Sequence, residues 1–331
     1  MTTIDKITDL TAATVESVDW DANGWETSAA NCANVVIYTY NAGAAYSIYG
    51  GDTFHVIGAN GLCAAHGKAL AGDQVVIFIP SINQFAWVLL TTDQSLVLAM
   101  ATPTEVQESL GTTWVTLLIT PSNFEDGTQL FDRPTISAGH NHLYIAVDLS
   151  PTPIFISLSL AELVSGGSIN IFYYLTDGVW WLRAAQNTGS TGYFAALTYV
   201  AAPDGQQYIS NMRVFWLPEG ANQCAYFDVP IASVPTEGGT VSTPQGDWLS
   251  NGKGSLQVLG LTVSGNELWA AWWGNLTLLN PPPDGSGPNF PYPHIEIAVV
   301  DLETRQLKTQ YYIWSSDFAF VFSGFGHQRK R

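Results

Sequence analysis

The sequence predicts an all-β protein, a β-propeller of about five to six four-stranded blades, and three observations lead to this prediction. Helical periodicity is almost absent, and only residues 101–110 and 160–165 are compatible with a few helical turns. The remaining chain consists of short runs of Val, Ile, Phe, Tyr and Trp separated by Gly, Asn, Asp and Pro. A strand, a polar turn and an aromatic-rich second strand recur as a unit.

Four copies of this unit are visible, and each is followed by further strand-like runs. They begin at Asp73, Arg133, Val179 and Leu256. A two-sheet sandwich typically shows evenly spaced strands about 8–12 residues apart, without such grouping. The grouping into fours therefore favours a propeller over a sandwich.

Composition limits the classes of function. Hydrophobic residues make up 47% of the 331 residues and charged residues 12%, which is typical of a folded chain. The net charge of −17 repels phosphate backbones, so nucleic acid is not an expected partner, whereas a neutral sugar or a cation is. The three cysteines have no zinc-type spacing and are expected to be free thiols.

Targeting signals are not evident in the sequence. The first residues lack a basic stretch followed by an apolar one, so no secretory signal is predicted. No run of 18 apolar residues occurs, so no membrane span is predicted either.

Five aspartates stand at or shortly before the presumed first strand of a blade: Asp73, Asp132, Asp177, Asp247 and Asp317. The first strand of each blade lines the central channel, so these carboxylates are predicted to approach one mouth of it. One interpretation is local, because Asp accepts backbone N–H bonds in turns. The other is functional: Asp73 and Asp132 form the pair for acid–base hydrolysis of a glycoside, or ligands for Ca²⁺.

Other side chains complete the predicted ligand site. Arg133, Asp177 and Asp317 are placed near the channel mouth, and Phe290 and Tyr292 at the rim, in the long loop 281–293. His140 and His142 in G-H-N-H fit either a metal-binding pair or a hairpin turn, and the turn is favoured because no third ligand is nearby.

The stretch A-Y-S-I-Y-G-G-D-T-F, residues 45–54, resembles the Asp box of sialidase-type propellers, S-x-D-x-G-x-T-W. Ser47, Gly51, Thr53 and Phe54 are in register, while Tyr49 replaces the Asp. The resemblance implies a structural hairpin in which the hydroxyl accepts bonds from the turn's N–H groups and the aromatic ring packs between strands.

The phrases D-Q-V-V-I-F-I-P-S-I-N-Q-F-A-W-V-L-L, N-E-L-W-A-A-W-W and P-H-I-E-I-A-V-V-D stand in the same order as in a group of uncharacterised bacterial sialidase-like propeller proteins, which residues 35–320 resemble. The resemblance implies a propeller over 35–322, an N-terminal segment 1–34 that is a candidate source of closing strands, and a basic tail over 323–331 outside the repeat. Relative to the group, the chain looks truncated at the C-terminus, with a last blade that begins at Asp317 and is not completed. A natural five-bladed closure is the alternative.

The predicted function follows from what is present and what is missing. The arginine cluster that a working sialidase needs is not recognisable, while regularly spaced Asp and many aromatic residues are present, so a non-catalytic module binding glycans or a divalent cation such as Ca²⁺ is predicted. A glycoside hydrolase or lyase that uses channel carboxylates, and a non-functional remnant, remain alternatives. A monomer is expected if the ring closes, and the resemblance points to a bacterial, extracellular protein.

Overall fold

A computed structural model describes most of the chain. The described residues are 27–41, 43–124, 131–149, 153–166, 168–176, 179, 181–201, 207–235, 242–243, 246–247, 257–274, 290, 292–318 and 320. They form five four-stranded sheets, each made of four strands consecutive in sequence and in space. This up-and-down sheet is the blade of a β-propeller, and the chain has that fold class, as the sequence predicts.

Two compact units divide the chain: residues 1–136 with 149–151, and residues 137–148 with 152–331. In the first unit, one sheet consists of β1 (Ser28–Cys32), β2 (Val35–Tyr40), β3 (Gly43–Ser47) and β4 (His55–Ile57). The next consists of β5 (Leu70–Ile79), β6 (Gln84–Thr91), β7 (Leu96–Ala101) and β8 (Val115–Ile119).

The third sheet consists of β9 (Phe131–Ala138), β10 (His142–Leu149), β11 (Ile154–Ser159) and β12 (Ile171–Leu175), and the division between the units falls within β9. The fourth consists of β13 (Arg183–Ala184), β14 (Thr191–Ala201), β15 (Gln207–Pro218) and β16 (Ala225–Pro235). A short hairpin of β17 (Ser242–Thr243) and β18 (Gly246–Asp247) precedes the fifth sheet. That sheet consists of β19 (Gly260–Ser264), β20 (Glu267–Gly274), β21 (His294–Asp301) and β22 (Gln306–Ile313).

Burial explains why the middle strands read as continuous apolar runs. All six residues of β7 are buried, as are seven of the eight in β6, because both faces of these strands are covered. The outermost strands β12 and β22 retain exposed residues along their length. Phe85 and Trp87 of β6 pack in one core with Ile37 of β2 and Tyr46 of β3.

In the described part of the chain, three short α-helices lie between strands: α1 (Ala59–Ala64), α2 (Pro103–Ser109) and α3 (Leu160–Ser165); one 3₁₀ turn, Pro121–Asn123, follows β8. The second and third match the predicted helical segments. Thr102 and Glu105 form a capping box at the start of α2, and Leu110 ends it in the left-handed conformation. Ser159 caps α3 by accepting a hydrogen bond from the backbone N–H of Glu162.

Backbone hydrogen bonds join the fourth and fifth sheets within the second unit. The N–H of Gln186 donates to the carbonyl of Leu261, and the N–H of Val263 donates to the carbonyl of Gln186, both over 2.9 Å. Gln186 and Thr262 thereby form a parallel bridge. A side-chain contact also joins the two sheets: the guanidinium of Arg305, in the turn between β21 and β22, stacks 4.2 Å from the ring centre of Trp216 of β15.

The ends of the repeat differ in how much the structure describes. β1 lies within the segment 1–34 and pairs with β2 over five residues. At the other end, Asp317 and Phe318 are not in a strand, and the rest of the run 317–322, apart from Phe320, lies outside the described residues. The division into domains therefore stays a prediction. The three cysteines are free thiols.

Candidate functional site

Asp73 and Asp132, 59 positions apart in the chain, meet at one backbone N–H group in the first unit. The amide of Arg133 donates to Asp73 Oδ2 over 3.2 Å and to Asp132 Oδ1 over 3.1 Å. Two local irregularities allow this. The pairing of β5 with β6 shifts register between Leu70 and Gln74, next to Asp73, and Arg133 has a left-handed φ of 51°.

The surroundings of the pair change the proton affinity of Asp132. Burial raises the pKa of Asp132, and the neighbouring Asp73 carboxylate raises that pKa further, while Arg133 partly offsets both. The Asp132 side chain nevertheless retains 61% of its exposure, and its Oδ2 lies 3.9 Å from Nε of Arg133. The two carboxyl groups are thus close together, and Asp132 is open to solvent.

The other predicted ligand residues do not all join this pair. Asp177 lies outside the described residues, and Asp317 is exposed, with its N–H donating to Ser315 Oγ over 3.0 Å. Asp247 belongs to the separate hairpin strand β18 rather than to a first strand of a sheet. Among the described residues, no group of three or more His, Cys, Asp and Glu side chains is placed to hold a metal ion. Ca²⁺ at Asp73 and Asp132 stays a prediction.

Phe290, expected at a rim, is buried, and Tyr292 is half-buried. The Phe290 ring stacks on His294, with ring centres 3.9 Å apart. Nε2 of His294 lies 3.4 Å from Oε1 of Glu296, and both side chains are almost fully buried. Gln310 Nε2 donates to the second Glu296 oxygen over 2.7 Å. This region is a buried polar cluster in the fifth sheet.

The turn that resembles an Asp box lies between β3 and β4. Ser47 Oγ accepts hydrogen bonds from the N–H groups of Tyr49 and Gly51, over 3.1 and 3.0 Å. Gly51 has a φ of 101°, which favours glycine, and the Phe54 ring is buried. Thr53 is exposed. The identity of this turn as an Asp box stays a prediction.

A cavity of about 110 Å³ in the second unit was not anticipated from the sequence. One wall is a face of the third sheet, where Tyr144, Ser157 and Phe172 form a row across β10, β11 and β12. Tyr174, two residues from Phe172, lies on the same face, and the Phe172 side chain is 56% exposed. This wall is therefore mainly aromatic.

The opposite wall, residues 217–222, is the end of β15 and the turn that follows it, which includes Glu219. The backbone N–H of Asn141 donates to Glu219 Oε1 over 2.7 Å, and Asn141 Nδ2 donates to Oε2 over 2.8 Å. Glycine at position 139 permits this approach, because an added Cβ would lie 2.7 Å from Glu219 Oε1. The Glu219 carboxylate is thus fixed in place, and only 9% of the side chain is exposed.

Glu219 sets the electrostatic character of the cavity. Burial raises the pKa of Tyr144 well above its usual range, and the nearby Glu219 carboxylate raises that pKa further. Contact with the Gly192 backbone offsets part of the rise. His142 Nδ1 lies 3.9 Å from Glu219 Oε1, too far for a direct hydrogen bond. Lys and Arg are absent from the lining residues, all of which the structure describes.

Some of these residues could have been recognised from sequence, and others not. His142 was noted in G-H-N-H, which forms the turn between β9 and β10. The alternation of strands places His142 with Tyr144, and Phe172 with Tyr174, on one face. Glu219, in L-P-E-G, carries only a turn signal, and its distance of 78 positions from Asn141 gives no local sign of their contact.

Comparisons with known proteins identify no family. No family model matches the chain, and no curated protein matches it. Among solved structures, the β-propeller domain of Cps50 (Swd1) from Myceliophteria thermophila aligns at 10% identity and a TM-score of 0.41, covering 86% of this chain and 72% of that one.

The periplasmic gluconolactonase PpgL of Pseudomonas aeruginosa aligns at 9% identity and a TM-score of 0.41, over 87% of this chain and 69% of that one. A GH43 β-1,3-galactosidase aligns at 9% identity and a TM-score of 0.41, over 86% and 58%. Likeness at this level does not extend to activity, because one fold hosts many unrelated functions.

No described helix of the protein is long and apolar enough to cross a membrane.

Proposed function

We propose that this protein is a carbohydrate-binding β-propeller of the sialidase-like, Asp-box type, and that the cavity between the third and fourth sheets is its sugar site. The observation that carries the proposal is the exposed Phe172 ring beside a cavity that also holds a fixed carboxylate, Glu219. Sugar rings pack their C–H faces on aromatic rings, and their hydroxyls donate to carboxylates. The contacts of Ser47, Gly51 and Phe54 support the Asp-box part of the proposal.

The size of the cavity limits the ligand. A volume of about 110 Å³ is smaller than the usual range for drug-sized ligands, so one sugar residue or the end of a glycan suits it better than a long chain. A hexose has about a dozen non-hydrogen atoms, and at about 0.3 kcal/mol for each the expected Kd is in the millimolar range. Weak binding of single sugars is therefore the expected result.

Replacing Phe172 by alanine is expected to weaken sugar binding about three- to tenfold, because aromatic packing contributes about 0.5–1.5 kcal/mol. Calorimetric titration with glucose, galactose, mannose, glucosamine and N-acetylglucosamine measures the effect. The matched control is Leu175→Ala, which removes another exposed apolar side chain of β12 but from the opposite face. The proposal is wrong if the wild type binds none of these sugars, or if both variants weaken binding equally.

Glycoside hydrolysis is a second candidate, and the shared contact of Asp73 and Asp132 at the Arg133 amide favours it. Retaining glycosidases hold their two carboxyl groups about 5–5.5 Å apart, which is compatible with two oxygens bonded to one N–H. Asp132, whose pKa is raised, would donate the proton, and Asp73 would act as the carboxylate partner.

Asp132→Asn is expected to lower any hydrolysis of chromogenic glycosides at least about 100-fold, because an amide cannot donate the proton. In the wild type the rate should fall as the pH rises through the raised pKa of Asp132, since the acid must be protonated to act. Asp52→Asn, in an exposed turn, is the control. A wild type with no activity on the panel, or an unaffected Asp132 variant, excludes this candidate.

A further inference from the structure

The chemistry of the cavity identifies the kind of sugar that suits it, an inference that rests on the proposed function. Glu219 is the one acidic side chain in the lining, and its side chain is about nine-tenths buried. A buried carboxylate loses much of its hydration, and it regains free energy when a cation or several hydrogen-bond donors approach it. Asn141 supplies two donors, one to each oxygen.

No lining residue carries a full positive charge that would neutralise Glu219. A carboxylate has about four lone-pair positions, so each Glu219 oxygen can accept a further donor beside the one from Asn141. His142 is the one lining side chain able to carry a positive charge, and its Nδ1 is buried without a hydrogen-bond partner, 3.9 Å from Oε1. Glu219, which lines the cavity, therefore retains acceptor capacity beyond its two bonds from Asn141.

The aromatic rings that line the cavity also favour a positively charged group. Tyr144, Phe172 and Tyr174 line the same cavity, and the negative faces of such rings attract ammonium groups within about 6 Å. A metal ion is not favoured, because Glu219 and His142 are only two ligands and Ca²⁺ takes six to eight oxygens. An anionic sugar would place a like charge against Glu219.

We infer that the cavity binds an amino sugar, with the ring packed on Phe172 and the free ammonium group donating to the Glu219 carboxylate. A neutral sugar keeps the aromatic contact and donates hydroxyl hydrogens to Glu219, but it brings no charge. A sugar acid also keeps the aromatic contact, but its carboxylate is repelled by the Glu219 carboxylate. The expected order of affinity is therefore amino sugar, neutral sugar, sugar acid.

Three probes of one ring size test the inference: glucosamine, N-acetylglucosamine and glucuronate, titrated calorimetrically into the full chain at about pH 7. An amino group of this kind is largely protonated there. Glucosamine is expected to bind at least about tenfold more tightly than N-acetylglucosamine, and glucuronate more weakly than both. Tenfold corresponds to about 1.4 kcal/mol.

Glu219→Gln should remove this preference and leave the affinity for N-acetylglucosamine within about twofold, because the amide keeps the shape and loses the charge. Glu303→Gln changes the net charge equally at an exposed turn of the same unit and should change nothing. Circular dichroism melts confirm that both variants fold, and the wild-type order stands as a test even if one does not.

The outcomes separate the two proposals. If no sugar binds the wild type, the proposed function is wrong and the inference is wrong with it. If the sugars bind but glucosamine shows no advantage, or Glu219→Gln keeps that advantage, the inference alone is overturned. A glucosamine preference that is lost in Glu219→Gln and kept in Glu303→Gln supports it.

Discussion

Phe155→Ala is expected to lower the free energy of unfolding by about 3–5 kcal/mol, the usual cost of removing a buried aromatic ring. Phe155 is fully buried in β11, and its ring stacks on Phe194 of the fourth sheet, with ring centres 4.2 Å apart and planes inclined by 13°. It also stacks on Tyr174 of β12, at 5.0 Å. The substitution leaves a void between two sheets that share this packing.

Denaturant unfolding of the full chain, followed by tryptophan fluorescence, measures this loss. Phe172→Ala is the matched control: it removes the same side chain from the neighbouring strand, but from a half-exposed position. It should cost less than about 1 kcal/mol. Equal losses in the two variants would contradict the packing of the third sheet against the fourth.

Glu296→Ala is the second substitution with a large expected effect, about 3–5 kcal/mol, because it removes one partner of a buried polar pair. The carboxylate accepts from Gln310 Nε2 over 2.7 Å and lies 3.4 Å from His294 Nε2. Without it, Gln310 Nε2 loses its acceptor and His294 Nε2 loses the carboxylate it faces, in a region where the Phe290 ring stacks on His294. A buried donor left without a partner costs about 1–3 kcal/mol by itself.

Glu296→Gln separates charge from shape in the same measurement. The amide retains an oxygen for Gln310 and fills the same volume, so the loss should be clearly smaller than for alanine. Identical losses would mean that neither the hydrogen bond from Gln310 nor the volume of the side chain matters, contrary to the structure. A stabilised glutamine variant would instead show that the buried charge itself is a cost.

The fold was largely predictable because its signals are local. Alternation of apolar residues and turn chemistry located β5 with β6, β9 with β10, and β19 with β20. The helix α1 was not predicted, because A-N-G-L-C-A contains poor helix formers and no side chain caps it. Its burial of Ala59 and Cys63 is a tertiary effect.

The candidate sites, too, were predictable only where their signals are local in sequence. Repeat spacing singled out Asp73 and Asp132 as a pair, but it could not give their separation or the left-handed backbone of Arg133, whose amide both carboxylates share. Phe290 has a sequence typical of an exposed loop, yet it packs on His294, which no local pattern indicates. The cavity depends on a contact between Asn141 and Glu219 across two sheets, and only coordinates bring such residues together.

The backbone bridge at Gln186 has a consequence for how the second unit comes apart. Its amide and carbonyl both bond to the strand that begins the fifth sheet. Separating the two sheets would break both hydrogen bonds at once and leave an N–H and a C=O without their partners on each side. We therefore expect these two sheets to melt as a single cooperative block, with neither one fraying ahead of its neighbour.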